Sequence, residues 1–311
     1  MTHINLSFRC YVCNSDQCKF VMPYRAIVTD SMFRDSHIVK CNSCGLLQID
    51  KKFSPAEIEK YYKSEYDRED IYNFDFNLFP LDNTWSVSRG RALAKLVKRF
   101  DLVKQLKTTI LDLGCGYGHL IYGFSNYFDS PCTLIGVDYE PKTKQLFDKY
   151  KWDFEQGGID DVYRKYTGKV DILITSHVFE HIIDPRDFLH KCSNMLVSEG
   201  VLLWEVPNLN EYNLECELRH SPHICLWDIH SLRRILEKNN FEVLFLETAG
   251  RKYSWFDKKR PLNIMLNRIY RKIRKVSNES FELSNKESIS YQLDVYGFNR
   301  RNLRLIARKK E

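Results

Sequence analysis

Short apolar runs alternate with helical patterns from Thr108 onward, and this alternation constrains the fold more than any other feature of the sequence. Seven runs have the length and composition of buried strands: 109–113, 134–138, 153–155, 170–175, 201–206, 241–246 and 303–307. Strands that are apolar on both faces need helices on both sides of their sheet. The pattern therefore predicts an α/β fold with a mostly parallel sheet.

A glycine turn joins the first of these strands to the helix that follows. Asp112 precedes Gly114, Gly116 and Gly118, and Asp138 ends the second strand. Glycines let the backbone turn tightly and approach a ligand closely. Ligands of open α/β sheets bind beyond the carboxyl ends of the strands, where the Asp138 carboxylate can accept hydrogen bonds from ribose hydroxyls.

The turn differs from the fingerprint of dinucleotide-binding proteins. That fingerprint has a third glycine at the position where this chain has His119. The acidic Asp112 also stands just before the glycines, where a carboxylate would repel a pyrophosphate. The same carboxylate suits a cationic ligand that carries a sulfonium and an ammonium group.

These residues resemble the cofactor motif of class I S-adenosylmethionine-dependent methyltransferases. The resemblance continues through 177–185, 188–208 and 223–241, and it covers about 108–250 together with the last strand. It implies a Rossmann-like, seven-stranded methyltransferase sheet with an antiparallel last strand.

The resemblance also implies roles for individual residues. The turn from Gly114 to Gly118 would hold the methionine part of S-adenosylmethionine, and Asp138 would hold the ribose. Ile159 lies in the segment that flanks the adenine. His177 would lie at the floor of the pocket, beside the methyl group.

Two cysteine pairs near the start of the chain have the spacing of metal-binding knuckles. Cys10 and Cys13 form one pair, and Cys41 and Cys44 form the other. Four thiolates with no spare ligand make a structural zinc site, and Cys18 is an alternative ligand. The first 30 residues lack the pattern of a secretory signal. We therefore expect a cytoplasmic protein, in which clustered cysteines bind metal and do not form disulfides.

The sequence divides into three parts. Residues 1–52 are predicted to form a small zinc-ribbon-like module, and 53–107 a helical, aromatic connector. Residues 108–311 are predicted to form the methyltransferase domain, with a basic insertion at about 251–300. The module, the run 41–46 and the tyrosines at 61, 62 and 66 resemble the N-terminal region of sugar methyltransferases of deoxysugar and surface-polysaccharide pathways.

This resemblance leaves the methylated atom open. Sugar C-methyltransferases of this group carry a Tyr-x-Glu-His type segment that acts as base, and 217–223 here lacks it. O-methylation is therefore favoured and C-methylation is kept as an alternative. A hydroxyl needs a proton acceptor, for which His177, His181 and His223 are the candidates. Glu180 is expected to brace the loop.

Positive charge is concentrated at the end of the chain. The net charge is +6, but 251–311 alone carries seventeen Lys or Arg and six Asp or Glu. Within it, 261–276 has the pattern of a basic amphipathic helix, which could contact an anionic membrane, pair with the phosphates of a nucleotide- or lipid-linked sugar, or cover the substrate as a lid.

Two other classes of function stay open. A zinc-finger-containing RNA methyltransferase would use the basic segment on nucleic acid, although the Asn-Pro-Pro-Tyr run of base-methylating enzymes is absent. A non-catalytic binding module that kept the fold is the second alternative. The complete glycine turn with Asp138 argues against it.

Overall fold

The computed structural model describes residues 8–24, 31–33, 35–62, 85–102, 108–127, 131–210, 214, 223–252, 296 and 300–310. The helices are α1 (Pro55–Lys60), α2 (Trp85–Arg99), α3 (His119–Ser125), α4 (Thr143–Tyr150), α5 (Ile159–Val162), α6 (Pro185–Met195) and α7 (Ile229–Lys238). The strands are β1 (Cys18–Pro23), β2 (His37–Cys41), β3 (Leu47–Ile49), β4 (Thr108–Leu113), β5 (Cys132–Asp138), β6 (Asp153–Gln156), β7 (Val170–Ser176), β8 (Leu196–Pro207), β9 (Cys225–Leu226), β10 (Phe241–Lys252) and β11 (Arg300–Lys309). The predicted helix at 261–276, Tyr66 and most of 217–223 lie outside the described residues.

The main sheet has seven strands in the order β10-β11-β8-β7-β4-β5-β6. Strands β4 to β8 run parallel to one another, and β11 is antiparallel to both β8 and β10. This confirms the mostly parallel sheet with an antiparallel last strand, and each predicted strand is present. The carboxyl ends of β4, β5 and β7, which carry the predicted cofactor residues, meet at one edge of the sheet.

A second, smaller sheet joins the N-terminal segment to the rest of the chain. Its order is β1-β2-β3-β9, so its fourth strand comes from the C-terminal half. Leu47 pairs with Leu226, and Ile49 N donates a hydrogen bond to Ile224 O at 3.1 Å. Buried apolar residues of this sheet and of the main sheet belong to one continuous core. The cysteine-containing segment is therefore packed against the larger domain.

Helices α2 and α3 pack backbone against backbone. A Cβ on Gly90 would lie 2.0 Å from Leu120 O, and one on Gly123 would lie 2.1 Å from Val87 O. Only glycine allows this approach, which brings the neighbouring Arg89 towards the ends of β7 and β8. Within the described ranges, no helix combines the length and the apolar character needed to cross a membrane.

Candidate active site

The glycine turn between β4 and α3 is tied to the end of β5 by hydrogen bonds. Gly114 N donates to Val137 O at 2.8 Å, and Gly116 N donates to Asp138 Oδ2 at 2.7 Å. The other carboxylate oxygen of Asp138 accepts a hydrogen bond from Glu140 N at 3.0 Å. Asp138 thus holds the turn in place, and an ionised carboxylate has further lone pairs with which to accept ribose hydroxyls.

The turn leaves room for a ligand next to Gly116. This residue has a φ of +54°, and no described atom beyond its chain neighbours lies within 4 Å of the place a Cβ would take. The Asp112 carboxyl group is completely buried, and its Oδ2 makes no hydrogen bond to any described residue. Open backbone near an uncompensated buried carboxylate fits the sulfonium and ammonium groups of S-adenosylmethionine.

The segment predicted to flank the adenine lies at the adjoining strand end. Gly157 N donates to Asp138 O at 2.9 Å. A Cβ on Gly158 would lie 2.3 Å from Tyr139 Oη, so the glycine permits a close approach of that ring. Ile159, the first residue of α5, is half-buried. The structure therefore places Ile159 at the same sheet edge as Asp138, and its contact with the adenine stays a prediction.

The segment after β7 packs directly on the glycine turn. A Cβ on Gly114 would come 2.4 Å from Val178 Cγ2. His177 has a φ of +58°, and its N donates to Glu205 O at 2.9 Å. Left-handed backbone at a residue other than glycine costs on the order of 1–3 kcal/mol and is concentrated at functional sites. His177 therefore directly precedes the residue that packs on the turn, and its place beside the methyl group stays a prediction.

Glu180 lies among the three histidines that were predicted as proton acceptors. It is completely buried. Its Oε1 is 3.3 Å from His177 Nδ1, 3.7 Å from His181 Nε2 and 3.9 Å from His223 Nε2. His223 reaches this position because the neighbouring Ile224 N donates to Glu180 O at 2.8 Å. Folding therefore gathers three separately predicted histidines around one carboxylate.

The histidines keep Glu180 ionised. Burial acts to raise the pKa of Glu180, but His181, His177 and His223 outweigh it and hold that pKa at about 2. Burial acts to lower the pKa of His177, but its contacts with Glu180 and Glu205 outweigh burial and raise it above the ordinary value. A buried negative charge thus stabilises nearby imidazoles that can take up a proton.

Residues 86–246, more than half of the chain, match the protein family described as a methyltransferase domain. The matched segment holds the glycine turn, Asp138 and the histidines around Glu180. The chain belongs to this family. The class I methyltransferase domain predicted from the sequence is thereby confirmed, and its cofactor is S-adenosylmethionine.

Curated relatives are similar to part of this methyltransferase domain. A protein of Mycolicibacterium smegmatis, assigned as an S-adenosylmethionine-dependent methyltransferase, is 28% identical over 137 residues, or 43% of this chain and 52% of that protein. A ubiquinone biosynthesis O-methyltransferase of Escherichia coli O127:H6 is 26% identical over 107 residues, or 32% of this chain and 43% of that protein. The chain spans about half the length of the curated relatives it matches.

A solved structure from Galdieria sulphuraria, described as a candidate sarcosine dimethylglycine methyltransferase, has a similar fold. The two chains superpose with a TM-score of 0.50 and 15% identity, over 71% of this chain and 85% of that one. At this identity the similarity concerns the fold alone. It agrees with the Rossmann-like arrangement of the methyltransferase sheet.

Binding of S-adenosylmethionine to the methyltransferase is expected to strengthen with pH and to release protons. Burial raises the pKa of Asp112 to about 8, and the nearby Asp138 adds to the effect. The Asp112 carboxyl group is therefore mostly protonated at neutral pH, and a bound cation favours its ionised form. Between pH 6 and 8 the affinity should rise by up to about tenfold per pH unit. Calorimetry in buffers of different protonation enthalpy measures both the affinity and the number of protons released on binding.

Asp112→Asn isolates this effect from other titrations. It should weaken binding and flatten the pH dependence, whereas Asp148→Asn, at an exposed position of α4, should leave both unchanged. The amino group of S-adenosylmethionine titrates equally with the natural protein and with both variants. The difference in pH dependence between the natural protein and Asp112→Asn therefore reports the ionisation of Asp112. A pH dependence that survives in Asp112→Asn would show that another group is responsible.

Glu205, near the end of β8, forms a second buried charged group in the methyltransferase. Its Oε1 is 2.7 Å from Arg89 Nε, and its Oε2 accepts hydrogen bonds from Arg304 Nε at 2.8 Å and from Arg304 Nη2. Arg304 is also buried, and its Nη1 donates to Tyr296 Oη at 3.0 Å. Burial acts to raise the pKa of Glu205, but Arg304 and Arg89 outweigh it and lower that pKa.

Sequence analysis did not predict this group, which supports His177. Glu205 Oε1 is 3.7 Å from His177 Nε2, in addition to the backbone hydrogen bond between the two residues. The available signal was a single charged residue inside each of two apolar strands, Glu205 in 201–206 and Arg304 in 303–307. Such charges are rarely buried unless they are paired, so they predict each other's presence.

The four predicted metal ligands of the N-terminal segment lie together. Cys10 Sγ is 3.5 Å from Cys44 Sγ, and Cys13 Sγ is 3.4 Å from Cys41 Sγ. The four sulfur atoms all lie within 4.8 Å of one another. Sulfur atoms bonded to one zinc ion at ~2.3 Å lie about 3.8 Å apart in a tetrahedron, so the arrangement fits that ion. Cys18 is outside this group.

The two cysteine pairs have the same backbone geometry. Asn14 N donates to Cys10 O at 3.0 Å, and Gly45 N donates to Cys41 O at 2.9 Å. Asn14 and Gly45 both have positive φ, +60° and +81°. Asparagine and glycine are the residues that adopt this conformation most readily. Each pair is therefore shaped as a knuckle by the residue that follows it.

Proposed function

We propose that the chain transfers the methyl group of S-adenosylmethionine to a hydroxyl oxygen of a sugar that is linked to a nucleotide or a lipid carrier. The observation that supports this most is the group of three histidines around the buried Glu180, next to the glycine turn. In this proposal, the imidazoles of this group are the proton acceptors beside the transferred methyl group. Methyl transfer to a hydroxyl needs such an acceptor, because the oxygen loses its proton as it is methylated.

The residues of the chain act mainly by positioning and by charge. When bound, the cofactor supplies a methyl group on its sulfonium sulfur. The leaving group is then a neutral thioether, so it needs no acid to protonate it. Asp138 orients the ribose, Asp112 faces the cationic end, and an imidazole beside Glu180 accepts the proton. Alignment of the hydroxyl with the methyl group provides most of the acceleration, and the base adds about 100- to 10,000-fold.

Aromatic residues next to the histidines support a sugar as substrate. The Tyr62 ring lies edge-on to His181, with 6.4 Å between centroids, and Tyr61 packs behind it at 5.3 Å. Both belong to the segment that resembles sugar methyltransferases. The relative from Escherichia coli is named as an O-methyltransferase, which favours oxygen over carbon as the acceptor.

The four clustered cysteines bind a structural zinc ion in this proposal. They supply four thiolates and leave no position for a substrate, so the ion stabilises the N-terminal segment and does no chemistry. Thiolate ligands of this kind persist in a reducing compartment, in keeping with a cytoplasmic enzyme. Phosphates of the carrier, or an anionic membrane surface, are the partners proposed for the basic segment at 261–276.

The experiment uses methyl-labelled S-adenosylmethionine with the purified protein and a bacterial extract divided into RNA, nucleotide-sugar and lipid fractions. We expect label in the nucleotide-sugar or lipid fraction and at least about 100-fold less with Asp138→Ala, which loses the ribose contact and the hydrogen bonds that hold the turn. Label confined to RNA would instead support the RNA methyltransferase that the basic C-terminal segment favours.

A further inference from the structure

We propose that Glu180, His181 and His223 bind a divalent transition-metal cation of the zinc type. This site is separate from the four cysteines and uses different ligand atoms. Its role in catalysis rests on the function proposed above, whereas the binding of the cation does not.

The Glu180 carboxylate is isolated from hydrogen-bond donors. Its side chain is completely buried, and neither oxygen makes a hydrogen bond to any described residue. A buried carboxylate without hydrogen bonds needs a positive charge close by, which protonated histidines or a bound cation can supply. A cation coordinated by this carboxylate would supply that charge.

The three candidate ligand atoms lie close enough together to share one ion. Glu180 Oε1 is 3.7 Å from His181 Nε2 and 3.9 Å from His223 Nε2, and the three atoms lie within 4.8 Å of one another. These two distances exceed those of hydrogen bonds, which are about 2.7–3.2 Å. They are near the separation of about 3.4 Å between two ligands that each lie ~2.1 Å from one tetrahedral ion. A shift of a few tenths of an ångström brings each of these two distances to that separation.

The chemical nature of the three side chains selects the kind of ion. Two imidazole nitrogens and one carboxylate oxygen are the set found in catalytic zinc sites, which keep one position open. Magnesium and calcium prefer sites made of oxygen alone. The geometry therefore favours zinc or a cation that replaces it, such as cobalt(II).

The open position suits the hydroxyl group of the methyl acceptor. A coordinated hydroxyl is more acidic, so it gives up its proton more easily as the oxygen–methyl bond forms and the sulfur–methyl bond breaks. With His181 and His223 coordinated, His177 is the imidazole left to take the proton. It is also the most exposed of the three side chains, at 31% against 18% and 11%.

The test counts cobalt(II) ions bound to the full chain after removal of its metals. Cobalt bound to four thiolates has intense charge-transfer absorption, so the cysteine site and the proposed site are distinguished in one spectrum. We expect two ions per chain in the natural protein and in His230→Asn, which changes an exposed histidine of α7. Glu180→Gln and His223→Asn should keep the thiolate absorption and bind the second ion at least about 100-fold more weakly.

Retained thiolate absorption also shows that the cysteine site of a variant is intact, and circular dichroism checks the fold of the rest. If the natural protein binds cobalt only at the cysteines, or if both variants bind the second ion as tightly as His230→Asn does, the proposal is wrong, and protonated histidines alone compensate Glu180. Two bound ions without methyl transfer would refute the proposed function and leave the metal site standing. Full methyl transfer by protein that holds only the cysteine-bound ion would refute the catalytic role of the site.

Discussion

Replacement of Cys41 by serine is expected to remove about one zinc ion per chain and to destabilise the protein by several kcal/mol. Cys41 is completely buried, and its Sγ is 3.4 Å from that of Cys13. Structural zinc sites contribute about 10–16 kcal/mol of apparent binding free energy in small zinc-finger peptides. Whole domains are stable by only about 5–15 kcal/mol, so even partial loss of this contribution is large.

The effect should extend from the cysteines to the histidines around Glu180. Strand β3 follows the second knuckle, and its Ile49 N donates to Ile224 O at 3.1 Å. Ile224 N in turn donates to Glu180 O at 2.8 Å, directly beside His223. Two hydrogen bonds therefore connect the small sheet to the candidate active site. Methyl transfer should fall with the zinc content.

Cys132→Ser is the matched control, because Cys132 is a half-buried thiol outside the four-sulfur group. Zinc content by elemental mass spectrometry, thermal unfolding and methyl transfer are measured on both variants. Equal zinc content in the two variants would contradict the assignment of Cys41 as a ligand.

Glu205→Gln is expected to lower the free energy of unfolding by about 3–5 kcal/mol, the cost of breaking a buried ion pair. The substitution keeps the shape of the side chain but leaves the positive charges of Arg304 and Arg89 without their partner. Both Glu205 and Arg304 are completely buried, so water cannot replace the lost carboxylate. Urea denaturation with an unchanged slope measures the change.

The same strand offers a matched control. Glu199 pairs with Arg308 at 3.3 Å, but this pair lies at the surface, where 59% and 31% of the side chains are exposed. Such a pair contributes about 0–1 kcal/mol, so Glu199→Gln should be nearly neutral. If Glu205→Gln costs no more than Glu199→Gln, the buried pair does not stabilise the fold.

Local patterns in the sequence were sufficient to predict the main sheet and the glycine turn. Each strand of the sheet is a contiguous apolar run, and Asp112, Asp138 and the glycines stand at a characteristic spacing along the chain. The four cysteines were predicted because each pair is also local. The two pairs were expected to share one ion because four thiolates complete a structural zinc site.

Features that depend on pairing across the fold could not be predicted in this way. Strand β9 has two residues, too few to form a pattern, and its place beside β3 follows only from packing. Glu180 was expected to brace its loop, because nothing in the sequence shows that His223 returns to it. The ion pair between Glu205 and Arg304 likewise joins two strands that are distant along the chain.

Methylation of a sugar oxygen differs from every alternative in the bond that the transferred methyl group forms in the product. The reaction uses S-adenosylmethionine with a deuterated methyl group, and mass spectrometry identifies the monosaccharide released from the labelled fraction. We expect a sugar that carries the deuterated methyl as an ether on oxygen. A deuterated methyl group on a sugar carbon or on RNA would contradict it.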